Sequence, residues 1–269
     1  MSEPGDPPEK RIRLTLQYDG GGFAGWQVQP GERTVQGELE AALSRLTARP
    51  ASVLAAGRTD RGVHATGQVA GTLVPGKWTP GSLQKALNAV LPGDIWVAAA
   101  AEVPLSFHAR HDARARGYTY RIGIAEATAS PFRRAWCWPL RRPLRTDLLA
   151  AGAALLPGTH SFAAFAKAGQ PERGERCTVL RSEWGPWQDL GLEYRVTANR
   201  FLHHMVRYLV GTMVDVARER RPLEDLSGLL AGFPGLETSE PAPPQGLYLS
   251  RVYYEMQASD QEDRNETVP

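Results

Sequence analysis

Residues 57–69 read GRTDRGVHATGQV, a polar stretch set between apolar ones. A connection between two strands needs only turn formers, and loops that hold more than that are where function concentrates. This one holds Asp60 between Arg58 and Arg61, with His64 close behind. Two flanking guanidinium groups favour the ionised form of a carboxylate. Kept from bulk water, such a carboxylate acts as a nucleophile or a base. A structural ion pair in a turn has the same composition, so spacing alone leaves both readings open.

The surroundings of that stretch set the fold class. A short apolar strand precedes it at about 52–56 and another comes after it at 67–74. Upstream, RIRLTLQYD at 11–19 puts Ile12, Leu14, Leu16 and Tyr18 on alternate positions, as in a half-buried strand. A Gly-rich turn, Gly20 to Gly25, leads to a helix over 34–48 with Leu39, Leu43 and Leu46 on one face. Thr79 and Pro80 open a second helix, which Pro92-Gly93 ends, and a buried strand at 94–103 closes an α+β unit near 104. In the second half, Tyr118, Tyr120, Ile122 and Ile124 alternate, giving a strand at 116–124 with both tyrosines on one face. Next come a helix at 146–156, a hairpin of 178–187 and 191–199, a long helix at 200–220, a short one at 223–231 and a strand at 246–255. The expected organisation is a tail at 1–9, an α+β lobe at 10–104 with the polar loop, a second α+β lobe at 105–256 and an acidic tail at 257–269. Both tails read as disordered.

Composition narrows the function. Hydrophobic residues make up 42% of the 269, enough for a packed core, and no apolar run approaches the length of a membrane span. The two cysteines, Cys137 and Cys177, suit a reducing compartment, so the expected location is the cytoplasm. The net charge of +2 hides an uneven distribution: residues 1–9 carry −3 and 255–269 carry −4, leaving +9 on the body. Nine arginines lie within 107–145 against Asp112 and Glu126. Arginine forks onto phosphate and stacks on bases, so a clustered arginine surface points to nucleic acid.

Two other motifs lead elsewhere. Gly20 to Gly25 fits G-x-G-x-x-G, but a dinucleotide site needs that turn to open a helix, and Trp26, Pro30 and Gly31 intervene. His203-His204 falls within the expected helix, where neighbours point about 100° apart, and none of the six histidines has ligand spacing. Neither a metal nor a nucleotide cofactor is expected. The rival readings are a non-catalytic RNA-binding module, which gives Asp60 no purpose, and a nucleotide-cofactor enzyme built on the glycine turn.

GRTDRGVHATGQV resembles the signature of the TruA-type tRNA pseudouridine synthases. The likeness continues through Phe107-His108-Ala109-Arg110, the Tyr118/Tyr120 strand, ANRFLHHMVR at 198–207 and PPQGLYL at 243–249, in family order along nearly the whole chain. The resemblance implies a two-lobed α+β fold, a mainly antiparallel mixed sheet flanked by helices, without metal or organic cofactor. It implies a homodimer that isomerises uridine to pseudouridine at positions 38, 39 and 40 of the tRNA anticodon stem-loop. On the same ground Asp60 is the catalytic carboxylate, Arg58 lies beside the flipped base, Tyr118 stacks on it, and Arg207 pairs with the aspartate. Tyr118, Arg58, His64, Arg110 and Leu247 are the expected substrate-binding residues. Arg61 and Gly117 depart from the family pattern, at surface contacts or local rigidity. Asp60 attacking C1′, attacking C6 or removing the C2′ proton all remain open, and Tyr118 is a candidate acceptor for the C5 proton.

Overall fold

Ile12, Leu14, Leu16 and Tyr18 alternate along β1 (Lys10–Tyr18), each at most 5% exposed, so the strand's buried face is the one its spacing predicts. A computed structural model describes residues 8–167 and 174–255, and most of both tails lies outside them. After β1 come α1 (Val35–Thr47), β2 (Val53–Ala55), β3 (His64–Val74), α2 (Pro80–Val90) and β4 (Ile95–Val103). Thr34 caps α1 through Gly37 N–H, and Thr79 with Ser82 forms a capping box on α2, with Pro80 in the first turn. The second half holds β5 (Ala115–Gly123), β6 (Trp138–Pro139), α3 (Thr146–Ala154), β7 (Gly158–Ser161), β8 (Arg176–Trp187), β9 (Gly191–Ala198), α4 (Met205–Ala217), α5 (Glu224–Ala231) and β10 (Leu247–Tyr253).

One mixed sheet runs through both halves in the order β4-β1-β3-β10-β5-β9-β8-β7, with β2 paired to β3 and β6 to β5. Its ladders are antiparallel except β10 on β3 and β6 on β5. The join between the halves is short: Tyr248 faces His64 and Leu249 faces Ala65. Leu249 belongs to the apolar core beneath α1 and α2, and Leu247 to the core with α3, α4 and α5. Residues two apart in a strand point the same way, so both cores lie on one face of the sheet. Tyr118 packs against both, which places it where the two cores meet.

Three expectations are corrected. β3 begins at His64, so the second half of the polar signature is strand rather than loop. The segment at 158–161, to which the sequence assigns no element between the helix at 146–156 and the hairpin, adds β7 at the sheet edge. The helix expected over 200–220 begins only at Met205, because His204 takes the left-handed conformation (φ 64°, ψ 2°). Among the described residues no helix is long and apolar enough to cross a membrane.

Candidate active site

The loop between β2 and β3 is fastened at nearly every second residue. Ala56 N–H donates to Val69 O at 2.8 Å, and Gln68 Nε2 donates to Gly57 O at 2.8 Å. Thr59 is buried, its hydroxyl 2.8 Å from Tyr18 OH and its carbonyl accepting from Trp26 N–H at 3.0 Å. A turn then closes from Val63 N–H to Asp60 O at 3.1 Å, with Gly62 at φ +79° in the place where such turns need a positive φ. Arg58 and Asp60 emerge between these fastenings.

The glycine turn that superficially fits a nucleotide motif braces this loop. A Cβ on Gly20 would stand 2.0 Å from Val63 O, and one on Gly25 2.7 Å from Thr59 O. The segment 20–25 thus lies against the backbone of residues 59–63, and no α-helix begins before Val35 among the described residues. That packing removes the structural basis of the nucleotide-cofactor reading, since the turn opens only a three-residue 3-10 helix, Gly20–Gly22, whose first turn is capped by Asp19.

Asp60 is held by a pair of neighbours that helical reasoning set apart. His203 Nε2 lies 3.2 Å from Oδ1, and His204 Nε2 lies 3.3 Å from Oδ2. Because His204 is left-handed and the helix starts after it, the two rings stand 4.1 Å apart and converge on one carboxylate. Burial pushes the pKa of His204 below its ordinary 6.5, and His203, Arg207 and Lys167 add to that against the opposing charge of Asp60. Among the described residues, Asp60, His203 and His204 are the group whose donor atoms lie near enough to one another, within 4.8 Å, to share a metal ion. The cationic Arg207 and Lys167 oppose a further positive charge there.

Arg207, expected to pair with Asp60, makes a different contact. Its Nε donates to Ala242 O at 2.7 Å while Ala242 N–H donates to Arg207 O at 2.9 Å. The reciprocal pair fixes the first turn of α4 to the segment before β10 and leaves the carboxylate to the histidines. His64, an expected substrate contact, is 1% exposed. Gly20 N–H donates to its Nδ1 at 3.0 Å, so Nε2 carries the proton and donates to Ala135 O at 3.1 Å. Burial lowers its pKa despite Asp19 beside it, and its ring stacks on Tyr248 at 4.9 Å. His64 is therefore a buried strut behind the loop. Leu247, likewise expected at the substrate, is 5% exposed and lies in the core.

Three residues keep positions suited to a substrate. Arg58 is exposed and, among the described residues, has no hydrogen-bond or ion-pair partner. Arg110 is exposed on the turn after β4, whose carbonyl at 110 accepts from Arg116 Nη2 at 2.7 Å. Tyr118 is half-buried with Phe201 edge-on at 4.9 Å, and its hydroxyl would lie 3.9 Å from a Cβ on Gly57. Burial raises its pKa well above 10, with Tyr18 and Asp60 adding to the effect against Arg116. A phenol so placed is a poor proton acceptor.

Arg116 was not legible as a site residue, whereas His203 and His204, expected to pack or hydrogen-bond near the cleft, stand beside Asp60. Half-buried Arg116 binds Ala56 O at 2.9 Å, Ala113 O at 3.0 Å, Arg110 O at 2.7 Å and Asn199 O at 3.3 Å. It ties the root of the Asp60 loop to the two segments on either side. The signal was its parity: Arg116 and Tyr118 are two apart on β5 and share a face. The departing Arg61 reaches Glu32 at 2.9 Å, and Gly117, one residue before Tyr118, belongs to the opposite face of β5.

A family model described as tRNA pseudouridine synthase matches residues 15–112 and 153–255. Relatives named tRNA pseudouridine synthase A include that of Geobacillus sp. (strain WCH70), 40% identical over 252 residues, covering 91% of this chain and 99% of the relative. That of Moorella thermoacetica is 42% identical over 90% of this chain and 99% of its own. That of Pelodictyon phaeoclathratiforme is 41% identical over 91% of this chain and 100% of its own. A solved structure of a dye-decolorizing protein from V. cholerae aligns at 11% identity and a TM-score of 0.20, covering 93% of each chain, too slight a likeness to bear on the fold.

Proposed function

We propose, since the chain belongs to the tRNA pseudouridine synthase family, that it isomerises uridine to pseudouridine in tRNA at positions 38, 39 and 40 of the anticodon stem-loop, with Asp60 as the reacting carboxylate. The observation that carries the assignment to Asp60 is its setting: a carboxylate on a fastened loop, partly exposed, with an imidazole nitrogen within 3.3 Å of each oxygen and Tyr118 packed where the two cores meet.

The reaction breaks N1–C1′, turns the uracil and joins C5 to C1′, the proton lost from C5 being balanced by one taken up at N1. Attack on C1′, attack on C6 and removal of the C2′ proton each use Asp60 as its carboxylate. A stacked uridine must first leave the helix, at a cost of a few kcal/mol. Unpartnered Arg58 is the side chain free to fill the space it vacates, and Tyr118 offers its ring to the extruded base. The raised pKa of Tyr118 favours stacking over proton acceptance as its role. Electrons are only rearranged within the substrate, so the isomerisation needs no redox cofactor, and the Asp60 group serves in this reading without a metal. The homodimer and the cytoplasmic location rest on the family resemblance and the tRNA substrate.

The test is positional. Purified protein is incubated with tRNA transcripts carrying a single uridine at 38, 39 or 40, or elsewhere in the stem, and pseudouridine is located chemically. Product confined to the three positions is expected; product only elsewhere would overturn the site assignment.

A further inference from the structure

An aspartate alone does not stay in one orientation. Asp60 is about a quarter exposed, its own backbone is part of a tight turn, and its nearest side chains are two imidazoles, one on each oxygen at 3.2 and 3.3 Å. An ionised carboxylate accepts hydrogen bonds and donates none, so in the productive state each Nε2 carries a proton. The chain meets a cost to arrange this. His204 sits at φ 64°, ψ 2°, a region L residues with a Cβ avoid, and its side chain does not cap α4. Strain of this kind persists where surrounding structure enforces it and clusters at functional sites. Without it two consecutive side chains would diverge; with it both reach Asp60.

We propose that His203 and His204 are positioning residues of the reaction, each setting its Nε2 against one oxygen of Asp60 and so holding the carboxylate turned toward the substrate. The assignment rests on Asp60 being the reacting group. The charged and titratable groups facing the pair are Asp60 from the loop, Lys167, whose N–H donates to His203 O at 3.2 Å, and Arg207 and Tyr208 from α4. For His204, burial chiefly, with Arg207 and Lys167 adding to it, disfavours the charged form against the pull of Asp60.

The strain makes the test selective. Glycine at 204 removes the donor but also the Cβ penalty, so H204G should melt no lower than the wild type yet turn over about ten- to a hundredfold more slowly. The KM for tRNA should stay unchanged, because the histidines act on the carboxylate and not on the RNA. H204Q, whose amide N–H reaches nearly the same point, should recover most of the rate. At the more exposed neighbour, H203L should lose rate and H203Q regain it. Wild-type kcat in H204G and H203L, or equal losses in the Gln and donor-free variants, would overturn the proposal. Asp60→Asn run alongside separates the two failures. If it retains turnover, the assignment of Asp60 itself is wrong; if it is dead while the histidine variants are normal, only the positioning role fails.

Discussion

Gly20→Ala puts the bracing of the catalytic loop to a quantitative test. A Cβ at this position would lie 2.0 Å from Val63 O and 2.4 Å from Val63 C, against a floor near 3.0 Å for real contacts, so the two backbones must part by about an ångström. The obstruction is main chain and cannot swing aside. Overpacking of this kind costs roughly 1–3 kcal/mol, which a domain with a stability of about 5–15 kcal/mol survives. The displaced residue, Val63, is also the one whose N–H closes the turn on Asp60 O. A misplacement of about 1 Å is enough to lower turnover roughly a hundredfold. G20A should therefore remain folded, by circular dichroism and a cooperative melt, and release tritium from 5-tritiated uridine in tRNA about a hundredfold more slowly. Gly21→Ala is the control, since its Cβ would meet only the Asp19 side chain, at 3.1 Å, and that side chain can turn. Wild-type turnover in G20A, or an equal loss in G21A, would refute the view that the glycine turn positions the loop.

Three further outcomes rest on particular residues. Y118F should keep turnover within about tenfold while Y118A loses far more, because a buried phenol with a raised pKa contributes its ring and not its oxygen; a dead Y118F in single-turnover assays would return it to the proton path. Phe132 is 86% exposed beside exposed Arg133 and Arg134, on a loop whose Ala135 O accepts from His64, so F132A should weaken tRNA binding by about tenfold and R133A/R134A should flatten its salt dependence; unchanged affinity and salt slope in titrations would exclude contact there. Asp94 is held below the usual carboxylate range chiefly by hydrogen bonds from Arg33 at 2.6 and 2.9 Å. A lowered folded pKa stabilises above the unfolded value near 3.8, and that stability is lost as pH falls through the folded one. D94N should therefore melt lower than wild type at pH 7 and converge with it in strong acid, and a gap that persists there would contradict the linkage.

Much of this was readable from spacing. The alternation in β1 and β5 and the Thr79-Pro80 start of α2 reported the elements because each depends on neighbours in sequence. β6 and β7 were invisible because they are short and exist only through their partners, β5 and β8. The site shows the same division. Asp60 stood out because its loop is more polar than a connection requires, whereas its partners come from some 140 residues later and depend on one left-handed residue, His204, that no periodicity encodes. The burial of His64 was not legible either: its pairing with Tyr248 on β10 comes from a strand some 180 residues later. The glycine turn misled through a motif whose meaning depends on a helix starting directly after it, and its packing against residues 59–63 is set by tertiary contact alone.

The central claim is that Asp60 does the chemistry in a pocket that binds tRNA independently of it. The direct measurement is tritium release from tRNA carrying 5-tritiated uridine, by the wild type and by Asp60→Asn, with tRNA affinity followed in parallel and no metal or nucleotide added. Release by the wild type that disappears in Asp60→Asn while affinity is kept is the predicted result. Release that survives in Asp60→Asn, or tRNA binding without release by either protein, would contradict the account.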